Sequence, residues 1–170
     1  EAAAKPSNFK NPDTLTLVTG AGEQETMDPA YMYDTASSTI ALNIYEGLVF
    51  FNREKTNEYI PALATEWTTS EDGLTWVFKI REGVKFHEGG DLTPSDVAYS
   101  LQRGLLQGGY SSPQWLLAEP FFGVGLDDIT MLVDEGASAD DREALMANDP
   151  AKLVAACEKV KAAIVADDAA

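Results

Sequence analysis

Few residues of this 170-residue chain have the types and spacing that chemistry on a substrate requires. Its single histidine, His87, lies in the segment Lys-Phe-His-Glu-Gly-Gly, and no cysteine is nearby to share a metal ion with it. A general base needs a partner that positions it, and the sequence provides no specific one. We therefore interpret His87 as a turn residue paired with the backbone or with Glu88. We predict no catalytic residue, no metal site and no cofactor.

Three further motifs are weaker than they first look. The acidic pairs Asp127-Asp128 and Asp140-Asp141 lack the alternate spacing of a calcium loop, so we interpret them as solvated charge. Gly20-Ala21-Gly22 follows a predicted strand, but it lacks the third glycine and the apolar helix of a dinucleotide-binding loop. Cys157 is the only cysteine, which excludes an intrachain disulfide. We interpret it as a small buried apolar side chain, with a reactive thiol as the alternative.

The net charge of −16 limits which kinds of binding partner this protein can have. Such an acidic surface repels phosphate backbones, so we do not expect nucleic-acid binding. The charge fits either simple solubility or attraction of cationic ligands, and acidity alone does not distinguish them. The length fits one domain. The sequence has no apolar run of about 18 residues, the length that a membrane-spanning helix needs.

The stretch from Ile60 to Val97 predicts the elements that must position any site. Ser70-Glu71-Asp72-Gly73 is a hairpin signal, because glycine supplies the positive φ of tight turns. Thr75–Arg81 then alternates apolar and polar residues as a strand does. Thr93 is a helix cap, followed by proline at the first helical position. These signals predict an α+β fold with an antiparallel β unit packed by helices.

The rest of the chain is assigned more coarsely. Residues 1–13 read as a flexible arm, whose opening Glu-Ala-Ala-Ala-Lys is either native or an engineered spacer. We predict strands over Thr14–Val18, Leu48–Phe51 and Leu63–Thr69, with a polar turn over Asn52–Glu58. Besides the helix that Thr93 caps and that ends at Gly108 and Gly109, we predict helices over Thr39–Glu46, Ser112–Leu117, Asp140–Ala147 and Pro150–Ala166.

Five segments carry a family resemblance. They are Thr26–Pro29, Ser37–Val49, Pro61–Trp67, Asp72–His87 and Leu92–Arg103. In order and spacing they resemble extracellular solute-binding proteins of family 5, the oligopeptide-, dipeptide- and nickel-binding components of ABC importers. The resemblance extends from about Thr14 to Arg103 and weakens through the acidic helical tail at 119–170. Gly90-Asp91 departs from the family pattern, which leaves the geometry of that turn open.

The resemblance implies a type II-like periplasmic binding protein, whose two lobes close on a ligand. Members are much longer, so we expect residues 14–170 to be part of lobe one plus the family's extra subdomain, with the second lobe absent. It also implies a periplasmic or cell-surface location, with the signal segment not in this chain. ABC permease subunits are the implied partners, and a lipid anchor is the only membrane link we consider. The alternative is a stand-alone acidic enzyme or a structural or interaction domain.

The resemblance also locates the ligand cleft, at the loop before the first helix and at the segment after the Thr93 helix. The implied ligand-binding residues are Met32, Tyr33, Asp34, Thr35 and Ala36 in the first, and Tyr110, Ser111, Gln114 and Trp115 in the second. Asp34 either takes a ligand amine or caps the helix. Tyr110 and Trp115 either stack on a ligand or fill the core. By contrast, Trp67, Trp76 and Phe78 are expected in the core.

Overall fold

The computed structural model describes residues 13–14, 16–18, 20, 22–107, 113–123 and 149–169. Within these ranges the chain combines helices with antiparallel strands, as the α+β prediction requires. The elements are α1 (Thr35–Ile44), β1 (Val49–Asn52), β2 (Lys55–Pro61), β3 (Ala64–Thr69), β4 (Trp76–Ile80), α2 (Pro94–Leu106), α3 (Trp115–Phe122) and α4 (Pro150–Ala163). Strands β1 and β2 form one two-stranded sheet, and β3 and β4 form another.

The predicted strand at Thr14–Val18 is wrong. Its described residues lie in no strand, and the side chains of Leu17 and Val18 are 73% and 88% exposed. An alternating pattern becomes a strand only where a neighbouring strand completes the hydrogen-bonded ladder. No described strand pairs with this segment.

The polar turn predicted at Asn52–Glu58 is also wrong, because most of that segment is the start of β2. The chain reverses at Arg53, whose φ is 56°, and Asn52 already pairs with Lys55. Phe51 lies opposite Tyr59, with ring centroids 5.1 Å apart. Such cross-strand aromatic pairs stabilise a sheet, so here pairing outweighs the polar composition.

The hairpin between β3 and β4 is confirmed. Gly73 has a φ of 74°, and Asp72 Oδ1 accepts a hydrogen bond of 3.0 Å from the Leu74 amide. Trp67 pairs with Phe78, and both are half-buried. The expectation that Trp76 lies in the core is wrong: its side chain is 56% exposed. It stacks on Phe78 and donates its indole N–H to Gly73 O, at the turn end of β4.

The described core lies between α2, α3 and α4. Its buried residues are Ala98, Leu105, Ala118, Ala156, Val160 and Ile164. Thr93 and Asp96 form the predicted cap of α2 as a reciprocal capping box. Gly104 lets α3 approach closely, since a Cβ there would lie 2.9 Å from Leu117 Cδ1. Cys157 is only half-buried, because Ala156 and Val160 occupy the inward face of α4.

Several helix boundaries differ from prediction. Helix α1 begins at Thr35, before the predicted Thr39, and α3 continues past Leu117 to Phe122. Helix α4 ends at Ala163. The following residues fold back onto α2: the Ser95 amide and hydroxyl donate to the two carboxylate oxygens of Asp168, at 2.8 and 2.7 Å. The predicted helix at Asp140–Ala147 and the glycines after α2 lie outside the described residues.

Candidate functional site

The first segment begins with a turn that Asp28 organises. Its backbone carbonyl accepts hydrogen bonds from the Tyr31 and Met32 amides, both at 3.0 Å. Its side-chain Oδ1 accepts a third from the Ala30 amide, also at 3.0 Å. A short acidic side chain that bonds to the backbone two residues ahead stabilises a turn. Met32 is thereby held at the exit of this turn, half-buried.

Asp34 caps α1. Its Oδ1 accepts a hydrogen bond of 2.7 Å from the Ser37 amide, and its backbone is extended, as at other helix caps. Hydrogen bonds from Ser37 hold the pKa of the Asp34 carboxyl below its ordinary value. The capping interpretation is confirmed, and a contact with a ligand amine stays a prediction. Because of this cap, Thr35 and Ala36 are the first residues of α1 and not part of a loop.

The segment before the turn is attached to α1. Ser37 is fully buried, and its Oγ accepts hydrogen bonds from the amides of Glu25 and Thr26, at 3.2 and 3.4 Å. At the other end of the helix, the Tyr45 hydroxyl donates to Met27 O at 2.9 Å. The residues leading to Asp28 therefore have a defined path along α1.

Asp28 also forms an ion pair with Arg103 of α2. Arg103 Nη1 donates to Oδ1 at 2.6 Å and Nη2 donates to Oδ2 at 2.5 Å. The hydrogen bond from Arg103, helped by that from Ala30, lowers the pKa of Asp28 from 3.8 to about 2. Both residues belong to the segments that carry the family resemblance, Asp28 to Thr26–Pro29 and Arg103 to Leu92–Arg103. They are 75 residues apart, and no local pattern links them.

The second segment meets the end of α2. The Gln114 side chain is 1% exposed, and its Nε2 donates a hydrogen bond to the backbone carbonyl of Leu105. Trp115 follows as the first residue of α3 and is half-buried. Tyr110 and Ser111 lie outside the described residues. The ligand-binding role of all four residues stays a prediction.

Tyr33 and Trp115 bring the two predicted segments together. Their ring centroids are 5.9 Å apart at an interplanar angle of 72°, an edge-to-face contact. Tyr33 is 62% exposed, so one side of this pair faces outward. An exposed tyrosine ring in contact with a half-buried tryptophan suits a ligand that has both apolar and hydrogen-bonding parts.

The described residues offer little for catalysis. No group of three or more histidine, cysteine or acidic side chains among them is placed to hold a metal ion. His87 is exposed in a turn before Gly89 and Gly90, both of which have positive φ. In the part of the chain that the structure covers, no helix has the length and apolar character needed to cross a membrane.

Part of this chain is similar in sequence to known glutathione-binding proteins. Glutathione-binding protein GsiB of Escherichia coli K12 is 38% identical over 78 residues, which are 46% of this chain and 15% of that protein. GsiB of Escherichia coli O1:K1 is 40% identical over the same length and shares. The chain thus matches only about 15% of the length of these curated relatives.

Two solved structures are also similar. OppA of Burkholderia pseudomallei is 26% identical with a TM-score of 0.42, over 75% of this chain and 21% of that one. The periplasmic binding protein DppA of Helicobacter pylori, solved with the peptide STSA, is 27% identical with a TM-score of 0.45. That match covers 74% of this chain and 31% of DppA.

A family model matches most of the chain. The model for bacterial extracellular solute-binding proteins, family 5, matches residues 58–166. This range includes the β3–β4 hairpin, the capped helix α2 and all of α4. The resemblance identified from the sequence motifs is therefore confirmed. The chain belongs to the bacterial extracellular solute-binding proteins of family 5.

Proposed function

We propose that this chain is the ligand-recognition part of the solute-binding component of an ABC importer. It binds a peptide or another small solute outside the cytoplasmic membrane, in the periplasm or at the cell surface, for delivery to the permease subunits. It releases the ligand unchanged and is not an enzyme. Residues 14–170 supply part of one lobe together with the extra subdomain, and a second lobe closes over the ligand.

The contact between Tyr33 and Trp115 is the observation that carries this proposal. The family resemblance implies a cleft formed by two segments far apart in the chain. The ring centroids of Tyr33 in one and Trp115 in the other lie 5.9 Å apart. Tyr33 presents an exposed ring, Asp34 follows it in the chain, and Trp115 begins α3. A peptide ligand needs such apolar contacts together with backbone hydrogen bonds.

The relatives suggest the class of ligand. GsiB is named as a glutathione-binding protein, and DppA was solved with the peptide STSA. Both ligands are short peptides. We therefore propose a short peptide as the ligand of this chain.

Calorimetric titration of the full-length protein, with both lobes, tests the proposal, with glutathione and the peptide STSA as probes. We expect Tyr33→Ala and Trp115→Ala each to weaken binding about fivefold to tenfold, since an aromatic contact contributes about 1 to 1.5 kcal/mol. Tyr110→Ala tests the remaining predicted aromatic residue. Tyr59→Ala and Trp76→Ala are controls of the same residue types: these side chains are 50% and 56% exposed, comparable to Tyr33 at 62%, but lie on the sheets.

Two results would contradict the proposal. One is unchanged affinity for both probes in Tyr33→Ala and in Trp115→Ala, which would remove this pair from the cleft. The other is chemical conversion of a bound probe, detected by mass spectrometry. Such conversion would favour an enzyme.

A further inference from the structure

We propose that Arg103 is a positioning residue of the candidate site: by holding Asp28, it keeps Tyr33 against Trp115 without touching the ligand itself. This inference rests on the proposed function for its consequence on ligand binding. Its geometric part depends only on contacts within the described residues.

A continuous series of contacts begins and ends on α2. Arg103 holds Asp28 through two hydrogen bonds of 2.6 and 2.5 Å. From Asp28, the turn leads through Met32 to Tyr33, whose ring meets Trp115. Gln114, next to Trp115, connects this segment back to α2, because its side chain donates a hydrogen bond to Leu105 O.

The last turns of α2 are thus the common support of both segments. Arg103 holds the first segment, and the carbonyl of Leu105, two residues later, holds the second. Leu105 is fully buried in the helical core, so this support is fixed by packing. A shift of Asp28 relative to α2 therefore changes the distance between Tyr33 and Trp115.

The ion pair is suited to set this distance. Two parallel hydrogen bonds between a guanidinium and a carboxylate fix direction as well as distance, which a single lysine ammonium does not. The side chains of Arg103 and Asp28 are only 29% and 33% exposed. The Tyr33 side chain is 62% exposed, so burial does little to hold its ring in place. Arg103 Nη2 also donates to Gln107 Oε1 at 3.1 Å, which helps to orient the guanidinium on α2.

The variants Asp28→Asn, Arg103→Gln and their combination test this role. Asparagine keeps an oxygen for the Ala30 amide, so Asp28→Asn breaks the ion pair with little change to the turn. If the two residues act through each other, each single variant and the double variant have the same effect. Arg103→Lys keeps the charge with one donor group and should have an intermediate effect. Glu66→Gln, which breaks an ion pair that is 70% exposed on β3, is the matched control.

Two readouts separate the position of the rings from ligand binding. The first is the fluorine NMR resonance of Trp115 in protein labelled with 5-fluorotryptophan, assigned by its loss in Trp115→Phe. We expect Asp28→Asn and Arg103→Gln to move it toward its position in Tyr33→Leu, and Glu66→Gln to leave it in place. The second is the affinity for glutathione and the peptide STSA, which we expect to fall about fivefold to tenfold in both single variants.

A Trp115 resonance that stays in place in both single variants of folded protein overturns the inference, whatever the affinities are. A moved resonance with weakened binding supports it. If the resonance moves but Tyr33→Ala leaves both affinities unchanged, the positioning of the rings is supported and the proposed ligand site is overturned instead.

Discussion

Asp28 shows how one side chain can serve both a turn and a distant helix. Its carboxylate accepts from the Ala30 amide within the turn and from Arg103 across the molecule. All of these donors favour the charged form, which is why its pKa falls to about 2. The side chain is partly exposed, so solvent screening reduces the stabilisation that this shift implies.

This pKa predicts an acid dependence of stability. The folded-state pKa of Asp28 lies below the unfolded value, so on acidification the unfolded state takes up the proton first. The contribution of the ion pair is therefore complete above about pH 4, decreases as the pH falls below that value, and is lost near pH 2. We expect Asp28→Asn to lower the free energy of unfolding by about 1 kcal/mol at pH 7 and by about half of that at pH 3.

Urea unfolding of both proteins between pH 7 and pH 3 measures this difference. Glu66→Gln is the control, since its 70% exposed ion pair should contribute almost nothing at any pH in the range. A difference between wild type and Asp28→Asn that stays constant down to pH 3 would contradict the assignment.

At the scale of elements, the β3–β4 hairpin depends on its turn. Ser70 Oγ accepts from the Thr75 amide at 2.9 Å, Asp72 accepts from the Leu74 amide, and Gly73 adopts a φ of 74°. A side chain at Gly73 would meet no atom within 4 Å, so space does not limit this position. Backbone conformation does, because a Cβ disfavours the left-handed region.

Gly73→Ala should therefore lower the free energy of unfolding by about 1 kcal/mol. Gly73→Asn should cost less, because asparagine tolerates a positive φ better than alanine does. Chemical denaturation provides the measurement, with Gly20→Ala as the control: Gly20 also has open space around it, and its φ is not positive. Equal effects at the two glycines would contradict the conformational explanation.

Across the whole molecule, contacts between distant segments complete the helical layer. Asp168 accepts two hydrogen bonds from Ser95, 73 residues away, and places a negative charge at the N-terminal end of α2. Gln102 Nε2 donates to Ile164 O at 2.8 Å nearby. Both contacts hold the residues after α4 against α2, and the favourable interaction of a carboxylate with a helix N-terminus adds to them.

Asp168→Ala should release these residues. We expect a loss of about 1 kcal/mol in the free energy of unfolding, together with faster amide hydrogen exchange over 165–169. Asp167→Ala is the matched control, since Asp167 accepts only from the nearby Ala169 amide among its described contacts. Exchange that accelerates equally in both variants would show that the pairing with Ser95 does not hold this segment.

Sequence alone determined the features whose partners lie within a few residues. The Ser70–Gly73 turn and the cap of α2 at Thr93 depend on local hydrogen bonds, so local residue types suffice to predict them. The cap at Asp34 is equally local, and it was one of the two roles that the sequence allowed for this residue. The family motifs, which are also read along the chain, led to the family that the model match confirms.

Only the tertiary structure decided which segments meet. The pairing of Asp28 with Arg103 and the contact of Tyr33 with Trp115 depend on how the helices pack, and no local pattern encodes them. The same reason explains why the strand predicted at Thr14–Val18 is wrong. Its residues alternate in polarity, but no described strand pairs with them. A strand or an ion pair needs a partner in space, and the fold alone supplies it.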